Sequence, residues 1–355
     1  MLNIFETHTM LALVKEINPL TTFLRDRYFP TNDSTDIFST DDVLVEYKDG
    51  SKKLAPFVAP RKGGVAMLRS GSTMQRYTPP FIAPKRTMTI DDLKKRGFGE
   101  ALHANLTPAQ RQGALMMGDF EEMDTAIVRR EEAMAAETLL TNGCVMKHIT
   151  DDLGNVEEKE IRFYNGESNP AQYTPDTDWD KDGASILDDV YAVCEGLAKR
   201  GLPATDLIVS PDVGAAILND EKLLKLLDIK NLQIGGVDPA TLPNGATKLG
   251  RLNCRGHLVD VLQYSATYTD DDDTEKQYIP AGKAIVTAPG CGRTLYGAVS
   301  QVEQSDGDFH TYAAKRVPKY YSDAHSNVRE LTLTACPLCI PNNKNAWTVI
   351  NAIND

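Results

Sequence analysis

The chain has 355 residues, 41% of them hydrophobic and 25% charged, which is length for about two domains of ~150 residues and ordinary globular composition. That excludes a disordered, collagenous or disulfide-dense chain; no apolar run approaches the ~18 residues of a membrane-spanning helix, and MLNIFETHTM has no basic n-region, so no secretory signal is expected. The net charge of −12, from 38 basic and 50 acidic residues, argues against a global attraction to nucleic acid or anionic membrane.

Residues 1–35 hold short apolar pieces, Met10–Val14 and Phe23–Pro30, without a sustained period. They read either as an arm that docks on something or as a first helix and loop. From 43 the pattern VLVEY, KDGSKK, LAPFVAP predicts strand, turn and strand, because Asp-Gly tolerates the positive φ of hairpin turns. Prolines at 56, 60, 79, 80 and 84 then keep the chain out of any central strand. Ser51–Ile90 carries eight basic residues and no acidic one, so the rest of the chain carries −20. A basic extended excursion with edge strands is expected. It either docks on an acidic partner or forms a solvated hairpin.

A long helix is predicted over 107–143, with Thr107 as N-cap, Pro108 in the first turn and Asn142-Gly143 at the end. Met116, Phe120, Met123, Ile127 and Met134 form an apolar stripe at spacings of 4, 3, 4 and 7. Asp119, Glu121, Glu122, Arg129, Arg130 and Glu131 are read as mostly off it. At ~1.5 Å per residue such a helix exceeds ~50 Å. A β-hairpin follows over 144–165. A helix is expected over Ala184–Arg200 with Gly201 as its stop, then the buried strand TDLIVS, then a helix from Pro211 through Leu227. This order suggests an α/β unit. From about 256 the chain reads as mainly β.

No catalytic signature stands out. Cys336-Pro337-Leu338-Cys339 has redox spacing, but a reactive pair needs its first thiol at a helix N-terminus, and Leu331–Thr334 reads as a strand. The six cysteines are expected to be reduced, buried thiols. Asp270–Asp273 with Glu275 lacks the ligand alternation and central glycine of a calcium loop. Gly290-Cys291-Gly292-Arg293-Thr294 lacks the lysine of a phosphate-binding loop. The six histidines stand singly. No cofactor, metal or catalytic residue is expected.

Several segments, in their order along nearly the whole chain, carry a resemblance: Phe23-Leu24-Arg25-Asp26-Arg27-Tyr28-Phe29; Arg69-Ser70-Gly71-Ser72-Thr73 with Tyr77-Thr78-Pro79 and Pro84-Lys85; Ile208-Val209-Ser210-Pro211; Arg293-Thr294-Leu295-Tyr296-Gly297; Lys315-Arg316-Val317-Pro318-Lys319; and Arg329-Glu330 through Ala335-Cys336-Pro337. The sequence resembles the lambda-type major capsid protein E family of tailed bacteriophages. It departs from that pattern in an extra Arg76 and in Cys336 and Cys339, where small or apolar residues are usual.

The resemblance implies an α+β, Hong Kong 97-like capsid fold. On that mapping 1–35 is an N-terminal arm and 36–98 an extended E-loop. Residues 99–183 and about 301–330 form a peripheral domain with spine helix 107–143. Residues 184–300 and 331–355 form an α/β axial domain. The implied function is self-assembly, through hexamers and pentamers, into an icosahedral shell around double-stranded DNA bound without sequence specificity. The expected location is the virion capsid, after assembly in the host cytoplasm. Implied partners are a portal, a decoration protein and a separate scaffolding protein, since no long helical segment precedes the arm. Inter-subunit contacts are expected from Arg25, Arg27, Arg61, Lys62, Arg69, Arg76, Lys85 and Arg86, and no membrane contact is expected. The alternatives are an encapsulin-like compartment shell and a cytoplasmic α/β enzyme using Cys336/Cys339.

Overall fold

The computed structural model describes Thr7, Met10, Leu11 and Val14, and residues 20–48, 72–89, 108–149, 156–164, 166, 168–220, 223, 235–236, 240–241, 245–304, 307–323, 325 and 328–354. In chain order the elements begin with α1 (Leu24–Tyr28), β1 (Val43–Lys48), β2 (Ser72–Tyr77), β3 (Lys85–Thr89), α2 (Pro108–Thr141), β4 (Gly143–Ile149), β5 (Val156–Arg162) and β6 (Gln172–Tyr173). Next come α3 (Ile186–Arg200), β7 (Asp206–Val209), α4 (Pro211–Asn219), β8 (Gly235–Gly236), β9 (Ala240–Thr241), β10 (Ala246–Cys254), β11 (His257–Tyr264), β12 (Thr267–Thr269) and β13 (Glu275–Gln277). The chain closes with β14 (Lys283–Thr287), β15 (Gly292–Tyr296), β16 (Val299–Val302), β17 (Phe309–Tyr312), β18 (Val317–Asp323), β19 (Val328–Thr334), β20 (Pro337–Pro341) and β21 (Thr348–Asn351).

The core of the C-terminal half is one mixed eight-stranded sheet, ordered β6-β21-β14-β7-β11-β10-β8 with β9 on β10. β7 and β11 run parallel, while β14 is antiparallel to both β7 and β21. Both faces of this sheet are covered, so the middles of its central strands, Leu207–Val209 and Ala284–Val286, are apolar and buried at every position. Leu207 and Val209 point into a cluster with Val190, Val193 and Leu197 of α3 and Val213 and Ile217 of α4. Ile208, Leu262, Tyr264 and Ile285 point the other way, into a cluster that includes Met134, Ala135 and Leu139 of α2. The switch at each residue is the two-residue period of a strand.

Helix α2 therefore serves two cores. Its C-terminal half covers the eight-stranded sheet. Its N-terminal half buries Met116, Phe120, Met123 and Ile127 against Met88 of β3 and Leu331 and Leu333 of β19. These lie in the three-stranded sheet β18-β19-β3. The helix ends as its sequence demands: Asn142 takes φ 54°, the left-handed conformation that Asn tolerates better than most residues, and its N–H donates to the Thr138 carbonyl at 2.9 Å. A side chain at Gly143 would meet the Ile161 carbonyl of the paired strand at 2.7 Å.

Several expectations are refined. β1 pairs antiparallel with Ser72–Tyr77, from Val43↔Tyr77 to Lys48↔Ser72; LAPFVAP and the Lys48-Asp49-Gly50 turn lie largely outside the described residues. The 144–165 hairpin is present as β4 and β5. Helix α4 ends at Asn219, with Asp220 already extended at ψ 111°, shorter than the Pro211–Leu227 expectation. β19 runs unbroken across position 331, so the expected segment boundary there falls within a strand of the three-stranded sheet.

Candidate assembly surface and the ionic clasp beneath it

The segment FLRDRYF threads between helix α2 and the eight-stranded sheet. Phe23, Leu24, Tyr28 and Phe29 are buried. Between the two apolar pairs stand three consecutive charged residues, Arg25, Asp26 and Arg27, so folding the segment into this crevice forces Arg25 and Arg27 to find carboxylates inside the chain. Arg25 Nη1 donates to Glu131 Oε2 at 2.6 Å. Arg27 Nε donates to Asp206 Oδ2 at 2.8 Å, and the Tyr28 hydroxyl donates to the same oxygen at 2.9 Å. The start of α1 is capped from a distance: the N–H groups of Phe23, Leu24 and Arg25 donate to the Glu132 carboxylate at 3.1, 2.8 and 2.8 Å. Tyr264 adds its hydroxyl to that carboxylate at 2.8 Å.

Glu131 is the centre of the arrangement and is fully buried. Besides Arg25 it accepts from Arg316 Nη1 and Nη2 at 2.8 and 3.1 Å and from the Tyr296 hydroxyl at 3.0 Å. Arg316 Nε also donates to Asp124 Oδ1, about two helical turns before Glu131 on the same face, at 2.7 Å. Burial alone would raise the Glu131 carboxyl, but Arg316 and Arg25 hold it below the ordinary range. Burial pushes Glu132 above that range, opposed by its Arg25 and Leu24 amide donors and the Tyr264 hydroxyl.

The Gly290–Thr294 stretch receives this segment rather than a phosphate. The Gly290 N–H donates to the Arg27 carbonyl at 2.9 Å. The Phe29 ring lies so close to Gly292 that a Cβ there would sit 2.4 Å from it. Thr294 Oγ1 donates to the Phe29 carbonyl at 2.9 Å.

Of the expected assembly residues, Arg25 and Arg27 are thus paired within the chain. Arg76 is exposed and bonds Asp42. Arg86 pairs with Glu122 at 2.5 Å and Lys85 with Glu330 at 3.5 Å, all four on the surface or partly exposed. These three cations lie in the C-terminal part of the basic excursion. Arg61, Lys62 and Arg69 lie outside the described residues.

Glu131, Glu132, Asp124 and Arg316 are not among the expected site residues, and the sequence pattern counts Glu131 in a group that lies mostly off the apolar stripe. Glu131 stands on it. The gap of seven between Ile127 and Met134 has Glu131 at its fourth position, so a charged residue at a core position of the helix was the available signal. Burial pushes the Cys336 and Cys339 thiols up to about 11 and about 12. Cys339 lies in β20 rather than at a helix N-terminus, the opposite of a low-pKa redox site. The acidic tip after β12 is tied down, with Asp270 bonded to Lys276 and Asp271 to Arg130 of α2.

The description that fits this chain as a whole is a family model, the phage major capsid protein E, which matches residues 6–350. The chain belongs to the phage major capsid protein E family. Among curated relatives, the P21 prophage-derived major head protein of Escherichia coli O6:H1 is 23% identical over 88% of this chain and 90% of its own length. The major capsid protein of Escherichia phage lambda is 22% identical over 83% of this chain and 84% of its own. Among solved structures, a prophage capsid protein of E. coli CFT073 superposes with TM-score 0.63 at 17% identity, covering 98% of this chain and 99% of that one. A phage-related protein of Bordetella bronchiseptica RB50 gives TM-score 0.52 at 10% identity, covering 96% of this chain and 95% of that one. The capsid E fold is therefore the α+β architecture described above, and this family member is a major capsid protein of a phage or prophage, a structural subunit of the virion shell.

Proposed function

We propose that the chain self-assembles through hexamers and pentamers into an icosahedral shell enclosing the double-stranded DNA of a tailed phage or prophage. The observation that carries this reading is the family match over nearly the whole chain, 6–350. The chemistry of the chain agrees: a net charge of −12 suits a container, because a strongly basic lining would hold packaged DNA through phosphate neutralisation and hinder its release. DNA contact is non-specific in this reading, and the chain is structural rather than catalytic, with no cofactor.

The proposed division keeps 1–35 as N-terminal arm and 36–98 as E-loop. The peripheral domain is 99–183 with 301–330, built around α2. The axial domain is 184–300 with 331–355, built around the eight-stranded sheet. The continuous strand β19 favours moving the second boundary to about 334. The basic residues Arg61, Lys62, Arg69, Arg76, Lys85 and Arg86 contact acidic surface on adjacent copies, where charge complementarity sets register. Assembly takes place in the host cytoplasm with a separate scaffolding protein, and the finished shell carries a portal and a decoration protein.

Expression with and without the scaffold gene encoded nearby, followed by gradient sedimentation, tests this. Fast-sedimenting closed particles are expected. Recovery of an enzyme cargo inside them, with portal and terminase genes missing from the neighbourhood, would move the assignment to a cellular compartment shell.

A further inference from the structure

Glu131 is bonded at once by two segments far apart in sequence. Arg25 reaches it from α1, and Arg316 reaches it from the stretch that leads into β18. A cleft of about 760 Å³ borders both segments, with Leu11, Val14, Phe29, Ile37, Ala313 and Ala314 in its lining. Arg25, Tyr296, Asp124 and Arg316 reach the same cleft. The cluster is thus buried against the helix yet borders an open space into which either segment can move.

The charged and titratable groups around Glu131 come from every element packed on it. α1 supplies Arg25, itself paired with Asp26 at 2.7 Å. The 313–318 stretch supplies Arg316, with Lys315 held by Asp33 at 2.6 Å. β15 supplies the Tyr296 hydroxyl. β20 supplies the Cys339 thiol, which lies 4.0 Å from the Glu131 carbonyl. Helix α2 adds Asp124, which shares Arg316, and the neighbouring Glu132. Both arginines are therefore divided between Glu131 and a second carboxylate.

We propose that Glu131 is a shared, acid-sensitive clamp that couples the 22–29 segment to the 313–318 stretch, so that protonating this one carboxylate loosens both together while Glu132 and Asp124 still tether them to helix α2. A neutral carboxylic acid keeps acceptor capacity but loses the charge attraction for both guanidinium groups, and each arginine then rests on its second partner, Asp26 or Asp124. The two segments are coupled because Glu131 Oε2 accepts from both arginines: loss of either arginine leaves the other beside a less compensated buried charge.

The test is hydrogen exchange on the full, unassembled chain, read as protection factors at stepped pH. The amides compared are Arg27 and Phe29, those of Arg316 and Val317, and those of helix α2. As pH falls below the ordinary carboxylate range of ~4.3, the first two sets lose protection together at one midpoint while the α2 amides stay protected. Glu131→Gln weakens both sets at neutral pH and removes the step. Glu132→Gln, which removes the other buried carboxylate and weakens the cap on α1, lowers protection of Arg27 and Phe29 at neutral pH but leaves the shared step in place. If Glu131→Gln fails to fold, Tyr296→Phe serves: losing one donor to the ionised carboxylate raises the midpoint pH. Release of one segment without the other, simultaneous loss of α2 protection, or an unchanged step in Glu131→Gln or Tyr296→Phe overturns the proposal.

Discussion

Arg316 is almost wholly enclosed and bonds two carboxylates of one helix, Asp124 and Glu131. Removing one partner of such a buried pair leaves an uncompensated charge, at a cost of about 3–5 kcal/mol. Arg316→Ala should therefore lower the unfolding free energy by about that amount in urea titrations of the subunit. The pH dependence has a definite sign. Glu131 is held below its ordinary range in the folded chain, so its contribution is present above the unfolded value of ~4.3 and is lost as pH falls through the folded one. Thermal melts from neutral pH downward should show a steeper acid-side loss in the native chain than in Glu131→Gln. The cysteines lead to the opposite expectation. Cys336 and Cys339 are buried, protonated thiols, so Cys336→Ala with Cys339→Ala should cost about 1–3 kcal/mol in packing and leave particle formation intact. Loss of particles from a folded double variant would mean the thiols do more than fill space.

At the scale of elements, helix α2 is the member on which both cores depend. Phe120 and Ile127 are fully buried against β3 and β19, and an unpaired carboxylate there is strongly unfavourable. Phe120→Asp or Ile127→Asp should give insoluble or non-assembling subunit, measured as the soluble fraction after expression; normal particles would show that this face is not a packed one. The helix, its stop at Asn142-Gly143 and the buried strand β7 were legible in the sequence because local pattern and burial agree there. The partner of β1 was not. A strand from 43 pairs with 72–77 across an excursion of 23 residues, and no local rule specifies a partner at that distance. The clasp was legible only in part. FLRDRYF and KRVPK stood out as segments, yet nothing local says that Arg25 and Arg316 meet on Glu131, since those positions are 106 and 185 residues from it. The apolar stripe hid the glutamate by being interrupted at its position.

For the whole molecule, charge is unevenly divided. Eight cations and no anion lie in 51–90 while the remainder is strongly acidic, a distribution that favours association of unlike surfaces on successive copies. Reversing Arg61, Lys62, Arg69 and Arg76 to Glu should abolish particles while circular dichroism keeps the helical signal, because like charges across an interface cost several kcal/mol. Particles at wild-type yield would place assembly elsewhere than this excursion.

The central claim, that copies of this chain close into a phage-type shell, is tested most directly by electron microscopy of the purified chain, alone and with its scaffolding partner. The account predicts closed icosahedral particles whose reconstruction shows hexamers and pentamers with α2 in the shell wall and residues 51–90 against a neighbouring copy. Only small, non-closing species under every condition, from a chain that circular dichroism shows to be folded, would contradict it.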